Sequence, residues 1–171
     1  MNFDKIGKKD IIHPNHPFFP EYGSHEKELS KFIYIEKEDF KETHDKNYYR
    51  FTPENTVRLK YHDFFKYHSH EENKLIVNYT TVENPKKIKG CIHWVSKEDC
   101  IEAIFELYTD LAPNGVYNPD SKIIKKGYVE KYCITRELWQ FERLGYFKLD
   151  RYEKEIPVFI RITGLFDKNK I

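Results

Sequence analysis

Two short segments of this 171-residue chain combine the side chains that recognise a planar, hydrogen-bonding ring. One is Asn47-Tyr48-Tyr49-Arg50, with Arg58-Leu59-Lys60 shortly after it; the other is Trp139-Gln140-Phe141-Glu142-Arg143. A guanidinium presents two parallel donors whose spacing matches the O6 and N7 edge of guanine, which an ammonium does not copy. Aromatic rings offer faces on which an unstacked base lies, while amides and guanidinia read its edge. In a strand, Arg58 and Lys60 share one face because they are two residues apart. The same residue types also allow a plainer reading, with Tyr48 and Trp139 as core aromatics and the cations on solvated strand faces.

Other chemistry finds less support. His62, His68 and His70 lie close together, but in a Lys/Glu/Asn-rich hairpin region without a nearby cysteine, so they read as solvated side chains and no metal site is expected. The prolines around His13 and His16 oppose a helix there and rule out a helical nucleotide-binding signature. No Walker loop, GxGxxG or GxSxG occurs. Acidic residues are many but scattered, and a solvated face is their commoner use. Cys91, Cys100 and Cys133 are odd in number and widely spaced, which fits a reducing, cytoplasmic setting better than a disulfide framework.

The elements that must position the two segments are strands. Aromatics at 16% and charged residues at 33% describe a folded chain with much surface per residue. The formal charge of +1 gives no long-range attraction for nucleic acid, so any such site is a local patch. Residues 1–11 lack periodicity and, with the prolines that follow, read as a leader. Strands are predicted over 31–36, from Tyr48, over 56–65, 75–81, 88–95, 101–108, 139–142, 146–150 and 157–165, with a helical turn or two at 37–42. Residues 69–74 read as a hairpin loop, and Asn84-Pro85, Pro113-Asn114-Gly115 and Asn118-Pro119-Asp120 as turns. This is an all-β pattern, barrel or sandwich. There is no secretory h-region and no apolar run of membrane-spanning length, so no membrane association is expected.

Several separated segments also occur in an order that resembles one family. Pro14-Asn15-His16-Pro17 with Gly23-Ser24 is followed by Asp39-Phe40-Lys41-Glu42, Tyr49-Arg50-Phe51 and Val57-Arg58-Leu59. Then come Lys89-Gly90-Cys91-Ile92-His93-Trp94-Val95-Ser96, Asn118-Pro119-Asp120-Ser121, Gln140-Phe141-Glu142-Arg143-Leu144-Gly145-Tyr146-Phe147 and Pro157-Val158-Phe159. Over residues 11–166 the chain resembles the C-terminal anticodon-binding domain of glutaminyl-tRNA synthetases, class I aminoacyl-tRNA synthetases, and the stretch at 89–96 is the most specific part of the match.

That resemblance implies two small β-barrels of the ribosomal-protein-L25-like type. Residues 12–62 and 138–171 would form the proximal barrel, 63–137 the distal one, and 1–11 a leader. The family brings a strand upstream of residue 11, so the first barrel is expected to be incomplete at its N-terminal strand. The implied partner is the anticodon loop of tRNA(Gln), with the anticodon pyrimidine-U-G. Arg50 would read the third base, a guanine, with Asn47 and Tyr49 beside it. Gln140 and Arg143 would hold the middle uridine, and Arg58 and Lys60 the first base or its phosphate. Asn47, Tyr49 and Lys60 depart from the family's more usual glutamine, lysine and arginine.

No HIGH or KMSKS signature occurs, so this chain is expected to carry no catalytic residue and to bind no cofactor of its own. ATP and Mg2+ would belong to a catalytic domain that is its partner in the complete ligase. The resemblance leaves open an archaeal or eukaryotic-type glutamyl-tRNA synthetase and a stand-alone barrel of the same fold; oligomeric state is open as well.

Overall fold

In a computed structural model the chain is described over residues 10–43 and 45–165. The described residues form strands and short 3-10 turns, with no longer helix, as the alternating apolar pattern predicts. Contacts divide the chain into two units, 1–99 and 100–171. The boundary thus falls at 99/100, whereas the division expected from sequence places it at 62/63 and 137/138.

In the first unit, β1 (Asp10–Pro14) pairs antiparallel with β2 (Ser24–Glu28). Residues 10–14 are therefore a strand, which corrects the reading of this stretch as leader: Ile11 is buried, and prolines are tolerated at the end of an edge strand. The leader expected over residues 1–9 lies outside the described residues. Strand β3 is only Ile33–Tyr34, antiparallel to β8 (Val95–Ser96). A four-stranded sheet has the order β6-β5-β4-β7, from β4 (Thr56–Leu59), β5 (Phe64–Glu71), β6 (Lys74–Thr80) and β7 (Cys91–Ile92). The predicted loop at 69–74 shrinks to a two-residue turn, since ladder pairs run out to Glu71↔Lys74. No strand starts at Tyr48; Phe51 makes one parallel bridge to Phe40 instead.

The core of this unit joins Leu29, Phe51, Val57, Leu59, Phe65, Val77, Ile92 and Trp94. The stretch 89–96 supplies it by strict alternation: Gly90, Ile92, Trp94 and Ser96 are buried while Cys91 is exposed and His93 half-buried. Trp94 donates its indole N–H to the Lys60 carbonyl at 3.1 Å. Lys27 is buried with its ammonium 4.0 Å over the Trp94 ring, and it donates to the Trp94 carbonyl. His62 also departs from expectation. Its side chain is 1% exposed and packs edge-on to Trp94, because the apolar core reaches under the tight turn between β4 and β5. His68 and His70 lie in β5 and are exposed, as expected.

The second unit is one five-stranded sheet, β10-β9-β13-β12-β11. It comprises β9 (Cys100–Tyr108), β10 (Lys122–Glu130), β11 (Leu138–Phe141), β12 (Gly145–Glu153) and β13 (Ile156–Thr163). β13 runs parallel to β9 and the other neighbours are antiparallel. Sequence reading missed β10, whose first five residues are all exposed and so show no alternation. Phe105, Phe141, Phe147 and Phe159 meet with ring centroids 5.2–5.8 Å apart, in the offset and edge-to-face arrangements that aromatic quadrupoles favour.

Glu106 corrects the expectation of solvated acids. It is 2% exposed, and one carboxylate oxygen accepts from Arg151 at 2.7 Å and Lys122 at 2.8 Å while the other accepts from the Tyr108 hydroxyl at 2.6 Å. Arg151, then Lys122 and Tyr108, hold this carboxyl well down from its usual 4.5, to about 2. A carboxyl lowered on folding stabilises the fold above its unfolded value, and the gain is lost as pH falls from about 4.5 towards 2. Glu106→Gln is therefore expected to lower the melting midpoint by about 5 °C at pH 7, with the gap to the parent chain shrinking between pH 4.5 and 2 in parallel thermal melts.

Gly90 shows the tightest backbone approach. A Cβ there would lie 1.9 Å from the Tyr49 carbonyl oxygen, which is main chain and cannot swing aside. Gly90→Ala is expected to cost about 3 kcal/mol in a denaturant titration, at the upper end of ordinary overpacking.

Candidate nucleic-acid interface

The close approach at Gly90 creates an open depression of about 420 Å³ lined by Glu38, Lys41, Asn47, Tyr48, Tyr49, Arg50 and Lys89-Gly90-Cys91. Three stretches build it. The first is the 3-10 turn Lys37–Asp39, predicted as helical turns and closed by Asp39 N–H donating to the Glu36 carbonyl at 2.9 Å. The second is the irregular segment 45–51, begun by Asp45, whose side chain accepts from the Asn47 N–H at 2.9 Å in an Asx turn. The third is the run into β7, whose Gly90 carbonyl accepts from Arg58 N–H at 2.9 Å.

Asn55 ties the irregular segment down, its amide donating to both the Tyr48 and Arg50 carbonyls at 3.0 Å. Beyond it, Phe51 N–H donates to the Asp39 carbonyl and Lys41 N–H to the Phe51 carbonyl, each at 3.0 Å. These bonds set the side chain of Arg50 beside the first turn. Its Nε lies 3.3 Å from the Asp39 carboxylate, which is fully buried, and its Nη1 donates to the Glu38 carbonyl at 3.2 Å. Tyr48 donates its hydroxyl to the same carbonyl at 2.7 Å, and the guanidinium sits 5.9 Å from its ring centroid.

Cations flank the aromatics on both sides. The Lys41 ammonium lies 4.6 Å from the Tyr48 ring and that of Lys89 4.8 Å from the Tyr49 ring, within cation–π range. Tyr49 is exposed, so its ring has a face open to a ligand. Arg58 is exposed on β4, paired with Cys91, with Nη2 3.9 Å from the Cys91 sulfur. The depression thus offers a guanidinium, two ring faces, an amide and two lysines, the set suited to an unstacked base and its phosphate.

Of the residues singled out from sequence, Asn47, Tyr49 and Arg50 line this depression and Arg58 adjoins it through Cys91. Lys60 does not line it. It follows the end of β4, so the shared strand face expected for Arg58 and Lys60 is cut short, and its ammonium lies 5.3 Å from the Tyr61 ring. In the second unit, Gln140 is exposed on β11, and Arg143 is exposed in the turn joining β11 to β12 with φ of 66°. Trp139 takes the plainer role, packing against the core with its N–H donated to the Arg136 carbonyl. Sequence reading did not single out Lys41, Lys89 and Asp39, although each stands within a quoted family stretch.

A model described as tRNA synthetases class I (E and Q), anti-codon binding domain, matches residues 1–89, and a second of the same description matches residues 91–150. The chain belongs to this family of anticodon-binding domains. Among curated relatives it is similar to the glutamine–tRNA ligase of Ralstonia nicotianae, 36% identical over 90% of this chain and 32% of that protein. It is similar also to those of Cupriavidus necator, 35% identical over 97% of this chain and 33% of the relative, and Chromobacterium violaceum, 34% over 99% and 36%. The chain spans about a third of the length of these relatives. No helix among the described residues is long and apolar enough to cross a membrane.

Asn55 holds the anticodon-domain depression through two carbonyls but does not line it. Asn55→Ala is expected to cost about 2 kcal/mol in chemical denaturation and to speed amide exchange over residues 47–51.

Proposed function

We propose that this chain is the anticodon-binding region of a glutamine–tRNA ligase and that its ligand is the anticodon loop of tRNA(Gln). The observation that carries the reading is Arg50, held at the edge of the depression with Asn47, Tyr48 and Tyr49 around it. One Nη1 proton goes to the Glu38 carbonyl, and the Nε side faces the Asp39 carboxylate at 3.3 Å. Of the five guanidinium protons, the other Nη1 proton and both on Nη2 are left for the O6 and N7 of a guanine. A guanine at the third anticodon position distinguishes glutamine anticodons from those of glutamate, which end in cytosine. The names of the relatives favour the same choice over a glutamyl enzyme.

Asn47 and Tyr49 then flank the third base, and Arg58 and Lys60 meet the first base or its phosphate. Gln140, on β11, and Arg143, in the turn between β11 and β12, hold the middle uridine. Lys41 and Lys89 add charge for the backbone. Attachment of glutamine, with its ATP and magnesium, is assigned to a catalytic domain of the complete cytoplasmic ligase. This region contributes affinity for the correct tRNA.

Binding to anticodon stem-loops carrying CUG or CUC, at two salt concentrations, tests the assignment. Phosphate contacts alone give salt-dependent affinity without sequence preference. A CUG preference at both salts is expected, with Arg50→Ala losing about 1 to 3 kcal/mol for CUG and most of the preference. Equal binding of the two stem-loops by the parent chain would discard the glutamine reading in favour of a non-specific barrel.

A further inference from the structure

Building on the reading of Arg50 as the guanine reader, we infer that Asp39 is a positioning residue for base specificity. It fixes the plane in which that guanidinium meets its base without touching the base itself. Arginine has several rotatable bonds, so an unrestrained guanidinium samples many planes and loses entropy on forming a bidentate pair. Here a backbone register and two side-chain contacts restrict that freedom. The bridge between Phe40 and Phe51 and the bonds from Phe51 N–H and Lys41 N–H register the backbones of residues 39–41 and 51. Because Arg50 directly precedes Phe51, the register sets its side chain against the Asp39 carboxylate, Nε to Oδ1 at 3.3 Å. The Glu38 carbonyl then takes one Nη1 proton, and the same oxygen holds Tyr48 in place under the guanidinium.

The burial of the two partners differs in an informative way. Asp39 is fully buried, whereas the Arg50 side chain is 35% exposed. The carboxylate therefore holds the inner side of the guanidinium and leaves its outer donors at the surface. The attraction between the buried carboxylate and the guanidinium opposes a swing of Arg50 towards a phosphate, which would abolish base reading and leave only charge. Asp39 thus converts a general RNA-binding cation into a discriminating one.

The test uses stem-loops identical except for guanine or adenine at the third anticodon position, with the parent chain, Asp39→Asn, Arg50→Ala and the double variant. The parent is expected to prefer guanine. Asp39→Asn should lower that preference about tenfold while the dependence of affinity on salt is unchanged, and in the Arg50→Ala background it should change the preference no further. Full guanine preference in Asp39→Asn would overturn the positioning role and leave the function of Arg50 intact. No preference in the parent would remove the glutamine reading and this inference with it. A second measurement on the parent chain needs no folded variant. By NMR, the Arg50 Nε–H should be protected from solvent exchange in the free chain, and guanine stem-loop should move the Nη resonances while the Nε resonance holds. A rapidly exchanging Nε–H, or one that shifts with the Nη groups, would overturn it.

Discussion

At residue 90 two stretches of main chain come so close that only a hydrogen fits between them. The approach of Gly90 to the Tyr49 carbonyl lets the irregular segment 45–51 lie against the run into β7. On its other side, the Gly90 carbonyl accepts from Arg58, the first rung of the parallel pairing of β4 with β7. One residue without a side chain thus joins three chain segments and seats Tyr49, Lys89 and Cys91 around one depression, with Arg58 adjoining it through Cys91. Glycine is the residue that permits such a backbone approach.

The rest of the first unit serves that junction. Ile92 and Trp94 continue inward from Gly90 and anchor the run to the core, while Trp94 also ties back to the Lys60 carbonyl at the end of β4. The stretch 89–96, the most specific part of the family resemblance, is thus in large part a packing signature, and only its first residues, Lys89-Gly90-Cys91, line the depression. The second unit meets its polar burden differently. Glu106, buried between strands, is accepted because Arg151, Lys122 and Tyr108 all donate to it, a network in which every member has partners.

Much of this was legible in the residues. Strands β9, β11, β12 and β13 follow from alternation of apolar and polar side chains, and the turns at Asn84-Pro85, Pro113-Asn114-Gly115 and Asn118-Pro119-Asp120 from backbone chemistry that is local. Asn47, Tyr49 and Arg50 were marked by residue type alone. What misled was equally physical. β10 lacks alternation because most of it is exposed on both faces, and β1 carries a proline, so neither gives the pattern by which strands are read. Tyr48 has strand-forming chemistry but sits in a segment whose carbonyls go to Asn55 instead of a ladder.

The sequence by itself determined the all-β class, the turns, and which side chains have the chemistry to read a base, because each depends on residue type and near neighbours. Only the tertiary structure decided that Asp39 lies beside Arg50, that Lys41 meets the Tyr48 ring and Lys89 the Tyr49 ring, and that Lys60 stands away from both. It alone decided that Glu106 and His62 are buried. These facts depend on pairings between residues distant in sequence, such as Phe40 with Phe51 and Arg58 with Cys91. Such pairings are chosen by the packing of the whole core, and no local pattern encodes them.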